Sequence, residues 1–525
     1  MILVTAEQMR EMDRLTIQKY NVPSLTLMER AGEAVAEAIV QNFAASARRG
    51  VLVVAGKGNN GGDGFVVARL LKRKRIPCEV ALLARRDEIS PDAAHNLRAY
   101  LKLKGKVTEV AADRLDLLTA LLEGKGLIVD AILGTGIKSE VRGLLGDAIT
   151  MINAAGAPIV AIDIPSGLDT DRGVPLGVAA QAEMTVALGF AKVGEVIYPG
   201  ATYVGELVVA DIGIEASAVA EVAPKTELID RETIRWLVPR REPDTHKGTY
   251  GHVLALAGSR GKTGAAILAC RAAMRSGAGL VTLAAPSSLN AIFAGALIEV
   301  MTEPLGENSA GEIEPLGDVD WRRLLERKSA LLFGPGIGVS AATRNHLRWL
   351  LRNLDMPWVI DADGLNNLAL DIERLRRAKT PPVLTPHPGE MARLAGKSNA
   401  EINADRAAVA RAFAAEHRCY LVLKGARTVI ATPDGRVSIN PTGNPGMASG
   451  GMGDALAGIL AALLGQGLTA ENAMKLGVYL HGFVGDRIAA ARGPIGLIAS
   501  DIIDGLPEGL RALAAPGRRS APAAR

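Results

Sequence analysis

Cysteine is scarce in this chain. Cys78, Cys270 and Cys419 are the only three among 525 residues, and no CxxC pair occurs. That excludes a disulfide framework and a zinc ribbon. Aromatic residues make up 3%, too few to build stacking platforms for single-stranded nucleic acid. An excess of one charge is missing too: 60 Lys and Arg against 56 Asp and Glu leave a net charge of +4. A general binder of nucleic acid or of a membrane surface needs more. No apolar run approaches the ~18 residues that span a bilayer. The longest, Ala455 to Leu464, reads as a buried helix. Met1-Ile-Leu-Val is followed at once by polar residues, unlike a secretory leader. A soluble, cytoplasmic protein is expected. With 48% hydrophobic and 22% charged residues, the composition is that of a globular chain. Glycine is the excess, with 58 residues that cluster after candidate strands.

Those strands alternate with helical patterns, which implies βαβ units and mainly parallel sheets. In the first half the candidates are Val51–Ala55, Glu79–Ala84, Gly126–Leu133, Pro158–Ile162, Thr185–Leu188 and Leu207–Asp211. They are apolar throughout, as strands covered on both faces must be. Helical patterns fall at Thr26–Phe43, Gly64–Arg75 and Pro91–Leu103. Prolines and a polar run between Glu215 and Tyr250 mark a boundary. A second series then begins: strand Val253–Ala257, helix Thr263–Ser276, and strands Leu280–Ala284, Ala330–Phe333, Trp358–Asp361, Val383–Thr385 and Tyr420–Lys424. Thr428–Thr432 and Arg436–Ile439 flank Pro433-Asp-Gly, a hairpin signal. The expected division is one α/β domain over 1–215, a second over 225–510, and a disordered Ala/Pro/Arg-rich tail over 511–525.

Gly56-Lys-Gly-Asn-Asn-Gly-Gly-Asp-Gly64 follows the first strand and opens a helix. Glycines there let the backbone approach a pyrophosphate, and the helix N-terminus offers N–H donors. Asp130, Gly134-Thr-Gly136 and Asp163-Ile-Pro-Ser-Gly167 stand at the ends of later strands, where ligands bind in open α/β sheets. With Met28-Glu-Arg-Ala-Gly32, these strings resemble the epimerase domain of the bifunctional NAD(P)H-hydrate repair enzymes. The resemblance implies a Rossmann-like, three-layer domain that interconverts the R and S forms of NADHX and NADPHX, the 6-hydroxylated nicotinamide cofactors. It implies that Asn59, Asn60, Gly61, Gly62 and Asp63 hold substrate, together with Gly134, Thr135, Gly136, Ile137, Lys138, Ser139 and Glu140. Asp163 would touch the hydrated ring as acid or base. Asn60, Asp130 and Ser166 would hold potassium (K+) through oxygen. Lys192 sits where the family carries a lysine near the site; on the residues alone it reads as a surface lysine.

In the second half, Gly258-Ser-Arg-Gly-Lys-Thr263 ends like a phosphate loop, but Leu256 stands where the full pattern needs glycine. Gly443-Asn-Pro-Gly-Met-Ala-Ser-Gly-Gly-Met-Gly-Asp454 is stronger. It offers N–H groups to an anion at a helix N-terminus, with Asp454 placed to take a proton from a hydroxyl. An anion hole beside a carboxylate base suits phosphoryl transfer to an alcohol. Gly334-Pro-Gly-Ile-Gly338, Asp361-Ala-Asp-Gly-Leu-Asn366, Thr385-Pro-His-Pro-Gly-Glu390 and Lys424-Gly-Ala-Arg-Thr428 each follow a strand. The set resembles the ADP-dependent dehydratase domain of the same family, which implies a ribokinase-like α/β fold. Lys424, Gly425, Ala426, Arg427, Thr428 and Gly453 would bind ADP. Ala265, Gly338, His387 and Asp454 would contact the hydrated cofactor, and magnesium (Mg2+) would accompany the nucleotide. Ser449 and Met452 replace threonines expected in the glycine run, and Lys262 adds a charge. Small-molecule partners and a homo-oligomer are implied, with no nucleic acid and no membrane. A ribokinase-like small-alcohol kinase fused to a dinucleotide-binding domain would share this architecture; the Thr385–Glu390 loop favours the dehydratase branch.

Overall fold

Val51–Ala55 is buried at every position because helices cover both faces of its sheet. A computed structural model describes residues 1–515 of the chain and divides it into two compact units, Ile2–Thr226 and the part from Glu227 onward. The main sheet of the first unit has seven strands: β1 Val51–Ala55, β2 Cys78–Leu82, β3 Lys106–Glu109, β4 Leu127–Ala131, β5 Ile159–Ile162, β6 Met184–Leu188 and β7 Glu206–Ala210. They pair in parallel in the order β3-β2-β1-β4-β5-β6-β7. One core lies on each face of the sheet, so the unit has three layers. The strand order reverses between β1 and β4, and a crevice opens there beyond the carboxyl ends. Ile2–Val4 pairs in parallel with Ala191–Lys192, with Val4 opposite Lys192.

The first unit extends past residue 215. The helix Ala216–Val222 belongs to it: Val219 and Val222 pack against Val4, Met9 and Met12, and Lys19 pairs with Glu221.

The second unit holds β8 His252–Leu256, β9 Leu280–Pro286, β10 Met301–Leu305, β11 Ala330–Phe333, β12 Trp358–Ile360, β13 Val383–Leu384, β14 Tyr420–Leu423, β15 Val429–Ala431 and β16 Val437–Ile439. Their order is β10-β9-β8-β11-β12-β13-β14-β15-β16. The sheet is parallel as far as β14 and antiparallel through β15 and β16. The hairpin expected around Pro433-Asp-Gly joins the last two. The helices Thr263–Arg275 and Met452–Gly465 cross closely on one face, since a Cβ on Gly458 would lie 2.0 Å from the Ala269 carbonyl oxygen.

Among the labelled strands, β3 and β10 escape the sequence pattern. Both lie at sheet edges and are only partly buried, so their composition lacks the apolar run of a central strand. The helix Ala499–Ala514 continues through Arg511, which corrects the start of the expected tail. Leu513 is fully buried and draws the chain onto the core. The tail beyond residue 515 lies outside the described residues. Among those residues no helix is long and apolar enough to cross a membrane.

Candidate active sites

In the first unit, the helix Asn59–Arg73 begins at Asn59 rather than at Gly64. The Asn-Asn-Gly-Gly-Asp string is therefore its first turn. Glycine is required here for close approach. A Cβ on Gly56 would lie 2.0 Å from the Ile132 carbonyl oxygen, and one on Gly61 would lie 2.1 Å from that of Gly56. These contacts bring the helix N-terminus over the crevice between β1 and β4. A cleft of about 720 Å³ opens there, lined by Asn59, Asn60, Asp63, Gly134, Thr135, Gly136 and Asp163. Gly61 and Gly62 are buried behind it. Ile137, Lys138, Ser139 and Glu140 run away from it, the last three exposed.

Asp130 is fully buried. Its carboxylate accepts from the Ser166 hydroxyl at 2.6 Å and the Ser166 amide at 2.8 Å. Burial raises its pKa to about 6, and the Ser166 hydrogen bonds oppose the rise. Asn60 donates through Nδ2 to the Leu133 carbonyl at 2.9 Å, while its Oδ1 is buried with no partner. An orphaned amide oxygen close to a buried carboxylate and a hydroxyl suits a hard monovalent cation.

Asp163 adopts a left-handed backbone, φ +69°, a strained conformation of the kind held at functional sites. Its carboxylate pairs with Lys192, which is 0% exposed. The surface reading of Lys192 is thus overturned: the Ile2–Val4 pairing and the sheet bury it. Glu195 lies beside it with its carboxyl raised to about 8 by burial. Asp63 is driven well above the usual carboxylate range by burial and by Asp163 and Asp13. Asp13 also lines the cleft, and motif reasoning missed it because it lies on an early helix that carries no glycine signature.

In the second unit, the loops after β8, β11, β12, β13 and β14 gather at the carboxyl ends of the strands. Lys424 donates to Asp361 at 2.9 Å and lies 3.7 Å from Glu390. Asp361 is 1% exposed and also accepts from the Thr385 hydroxyl at 2.7 Å. Burial works against the charge on Lys424, but Asp361 and Glu390 outweigh it and raise the ammonium pKa. The helix Met452–Gly465 starts after Gly451, which takes φ +86° as its cap. Asp454 is therefore in the first turn rather than at the cap, with the unbonded N–H groups of that turn around it. A Cβ on Gly453 would lie 3.1 Å from the Lys424 ammonium, so the lysine lies beside the N-terminus of the helix. Asp454 is raised to about 7 by burial and by Asp361, with Lys424 opposing.

Gly338 is held by Asp363, which accepts from its amide at 3.0 Å, and by Asn367, which donates to its carbonyl at 2.9 Å. Lys262 pairs with the same Asp363 at 2.8 Å. Ala265 stands in the first turn of the helix Thr263–Arg275. His387 caps the helix Pro388–Ala395: Nδ1 accepts from the Gly389 and Glu390 amides at 3.0 and 3.3 Å. That fixes the tautomer with hydrogen on Nε2 and leaves the ring half exposed. Arg406, which motif reasoning missed, is buried and donates to the carbonyls of Leu423, Lys424 and Ala426. It clamps the turn that begins the Lys424, Gly425, Ala426, Arg427 and Thr428 segment.

Comparison with known proteins matches both halves. The YjeF-related protein N-terminus family matches residues 24–194, and the NAD(P)H-hydrate dehydratase family matches residues 253–508. The chain is 47% identical over 518 residues to the bifunctional NAD(P)H-hydrate repair enzyme of Moorella thermoacetica, covering 98% of this chain and 97% of that one. It is 36% identical over 503 residues to the enzyme of that name from Escherichia coli, covering 95% and 92%. Among solved structures it is similar to the ADP/ATP-dependent NAD(P)H-hydrate dehydratase of Bacillus subtilis, co-crystallised with ATP and magnesium. That match has 32% identity and a TM-score of 0.47, and covers 55% of this chain and 98% of the other.

Proposed function

The chain belongs to the family of bifunctional NAD(P)H-hydrate repair enzymes, and on that premise we propose how its two sites return NADHX and NADPHX to NADH and NADPH. The first unit interconverts the R and S epimers. The second dehydrates the S epimer at the expense of ADP. The observation that carries the mechanism is the position of Asp454, in the first turn of a helix that faces Lys424.

The C6 hydroxyl of the hydrate is a poor leaving group. Asp454 takes its proton as the oxygen attacks the terminal phosphoryl group of ADP. The P–O bond to the nucleotide breaks, so AMP leaves and C6 carries phosphate. The C6–O bond then breaks, the departing phosphate takes the C5 proton, and the C–H electron pair forms the C5=C6 double bond of the reduced cofactor. The amides around Gly453 and the Lys424 ammonium stabilise the charge that moves through the phosphoryl group. Arg406 keeps the Lys424–Thr428 turn in place for the nucleotide. Asp361 and Glu390, which flank Lys424, would hold the magnesium that accompanies the nucleotide, and the ion would supply positive charge against the phosphates.

In the first unit the amides of the Asn59–Asp63 turn and of Gly134–Gly136 hold the substrate phosphates and ribose, and Asp163 meets the hydrated ring. Asn60, Asp130 and Ser166 would hold potassium, which would supply a fixed positive charge to the site. Replacing potassium with a bulky organic cation should slow epimerisation and leave dehydration of S substrate unchanged; equal rates would reject the cation site. Three free, buried cysteines suit a reducing, cytoplasmic setting. The mechanism is tested with pure S-NADHX, ADP and magnesium. NADH absorbance should return and AMP and phosphate should accumulate in equal amounts; NADH formed without AMP would exclude phosphoryl transfer.

A further inference from the structure

The cleft of the first unit is lined by Asp13 as well as by Asp63 and Asp163. Met9, Asp13 and Ile17 stand four residues apart on the helix Ala6–Gln18 and line the cleft together, as i, i+4 and i+8 positions of one helical face do. The helix is firmly placed. Thr5 caps it with a reciprocal bond to Gln8, and the Ala6 amide donates to Asp171 at 2.7 Å. The strand before it pairs Val4 with Lys192, so the segment carrying Asp13 is tied to the residue that neutralises Asp163.

Asp163 is engaged by Lys192 and by the Leu188 amide at 3.2 Å. Asp13 is not engaged: among the described residues no hydrogen bond or ion pair reaches its carboxyl group. A half-buried carboxyl without a protein partner, turned to a ligand cleft, is costly unless something in the cleft uses it. Burial and the neighbouring Asp163 raise it to about 7, with Lys192 opposing. It can therefore be protonated while Asp163 is paired with a cation. One carboxyl group held by a lysine and one left without a partner are surroundings that suit different proton-transfer roles.

We infer that Asp13 is a second catalytic residue of the epimerase cleft, exchanging a proton with the ring nitrogen N1 of the hydrated nicotinamide while Asp163 serves the C6 hydroxyl. The inference rests on the epimerase reading of this cleft. C6 is a hemiaminal carbon, bonded to the hydroxyl oxygen and to N1. Inversion follows if the N1–C6 bond opens and its electron pair goes to N1, which takes the Asp13 proton. The hydroxyl gives its proton to Asp163 and becomes the carbonyl oxygen of an aldehyde. Rotation about the C5–C6 bond turns the other face of that carbonyl to N1. Closure returns both protons, with no net change of oxidation level.

The test measures R-to-S interconversion by the full chain in wild-type, Asp13→Asn and Asp13→Glu forms, reading kcat and KM separately. Asp13→Asn should lower kcat by about 10²–10⁴-fold with KM little changed. Asp13→Glu, which still carries a proton, should recover at least tenfold of the loss. A near-normal kcat in Asp13→Asn, a change confined to KM, or equal loss in both variants would overturn the assignment. An inactive wild-type chain would instead overturn the epimerase reading.

Discussion

Asp454 shows at the scale of one residue how position and environment combine. A carboxylate in the first turn of a helix is ordinary. Raised to about 7 by burial and by Asp361, with Lys424 opposing, it is matched to the proposed role of a base at neutral pH. Only the deprotonated form accepts the hydroxyl proton, so kcat/KM for dehydration should climb as pH rises from 6 to 8, about the pKa of ~7, and level off above it. Asp454→Asn should abolish that rise and cost about 10²–10⁴ in rate, with ADP binding and epimerisation retained. A variant within a fewfold of wild type would remove Asp454 as the base. The residues that were legible in the sequence are those in dense strings, Asn59–Asp63 and Gly450–Asp454. Lys192, Asp361 and Arg406 act through burial and through partners distant in sequence, as in the reach of Arg406 to the Lys424 carbonyl at 3.0 Å, and Asp13 is set by burial and by the nearby Asp163. No local pattern encodes such contacts.

At the scale of elements, central strands were readable because burial on both faces leaves continuous apolar runs. The edge strands β3 and β10 were not, for the opposite reason. Helix starts were misread where glycine occupies the first turn. Asn59–Gly64 and Met452–Asp454 are helical although glycine disfavours helix, because close approach of neighbouring atoms needs residues without side chains there. Gly453 measures this directly. A methyl group at that position would meet the Lys424 ammonium at 3.1 Å, and the lysine is already held by Asp361. Gly453→Ala should therefore leave the fold intact and weaken ADP binding by about tenfold, ~1.4 kcal/mol. Titration by calorimetry checks it; unchanged affinity would mean that Lys424 and Gly453 do not share the nucleotide pocket.

At the scale of the whole molecule, each compact unit has its own sheet and core and enough residues to fold alone. Separation in the loop 223–225, which keeps the helix Ala216–Val222 with the first fragment, should give two soluble proteins. One should epimerise and the other dehydrate; insolubility of both would show that neither core is self-sufficient.

The chemistry also requires both units. The S-specific step alone would strand the R epimer, and epimerisation alone regenerates no cofactor. The most direct measurement starts from an equal mixture of R- and S-NADHX with ADP, magnesium and potassium, and follows NADH to completion. The intact chain should convert the whole mixture, in a phase set by dehydration and a phase set by epimerisation. A reaction that stops at half conversion with pure R remaining, at a rate no faster than spontaneous epimerisation thereafter, would contradict the account.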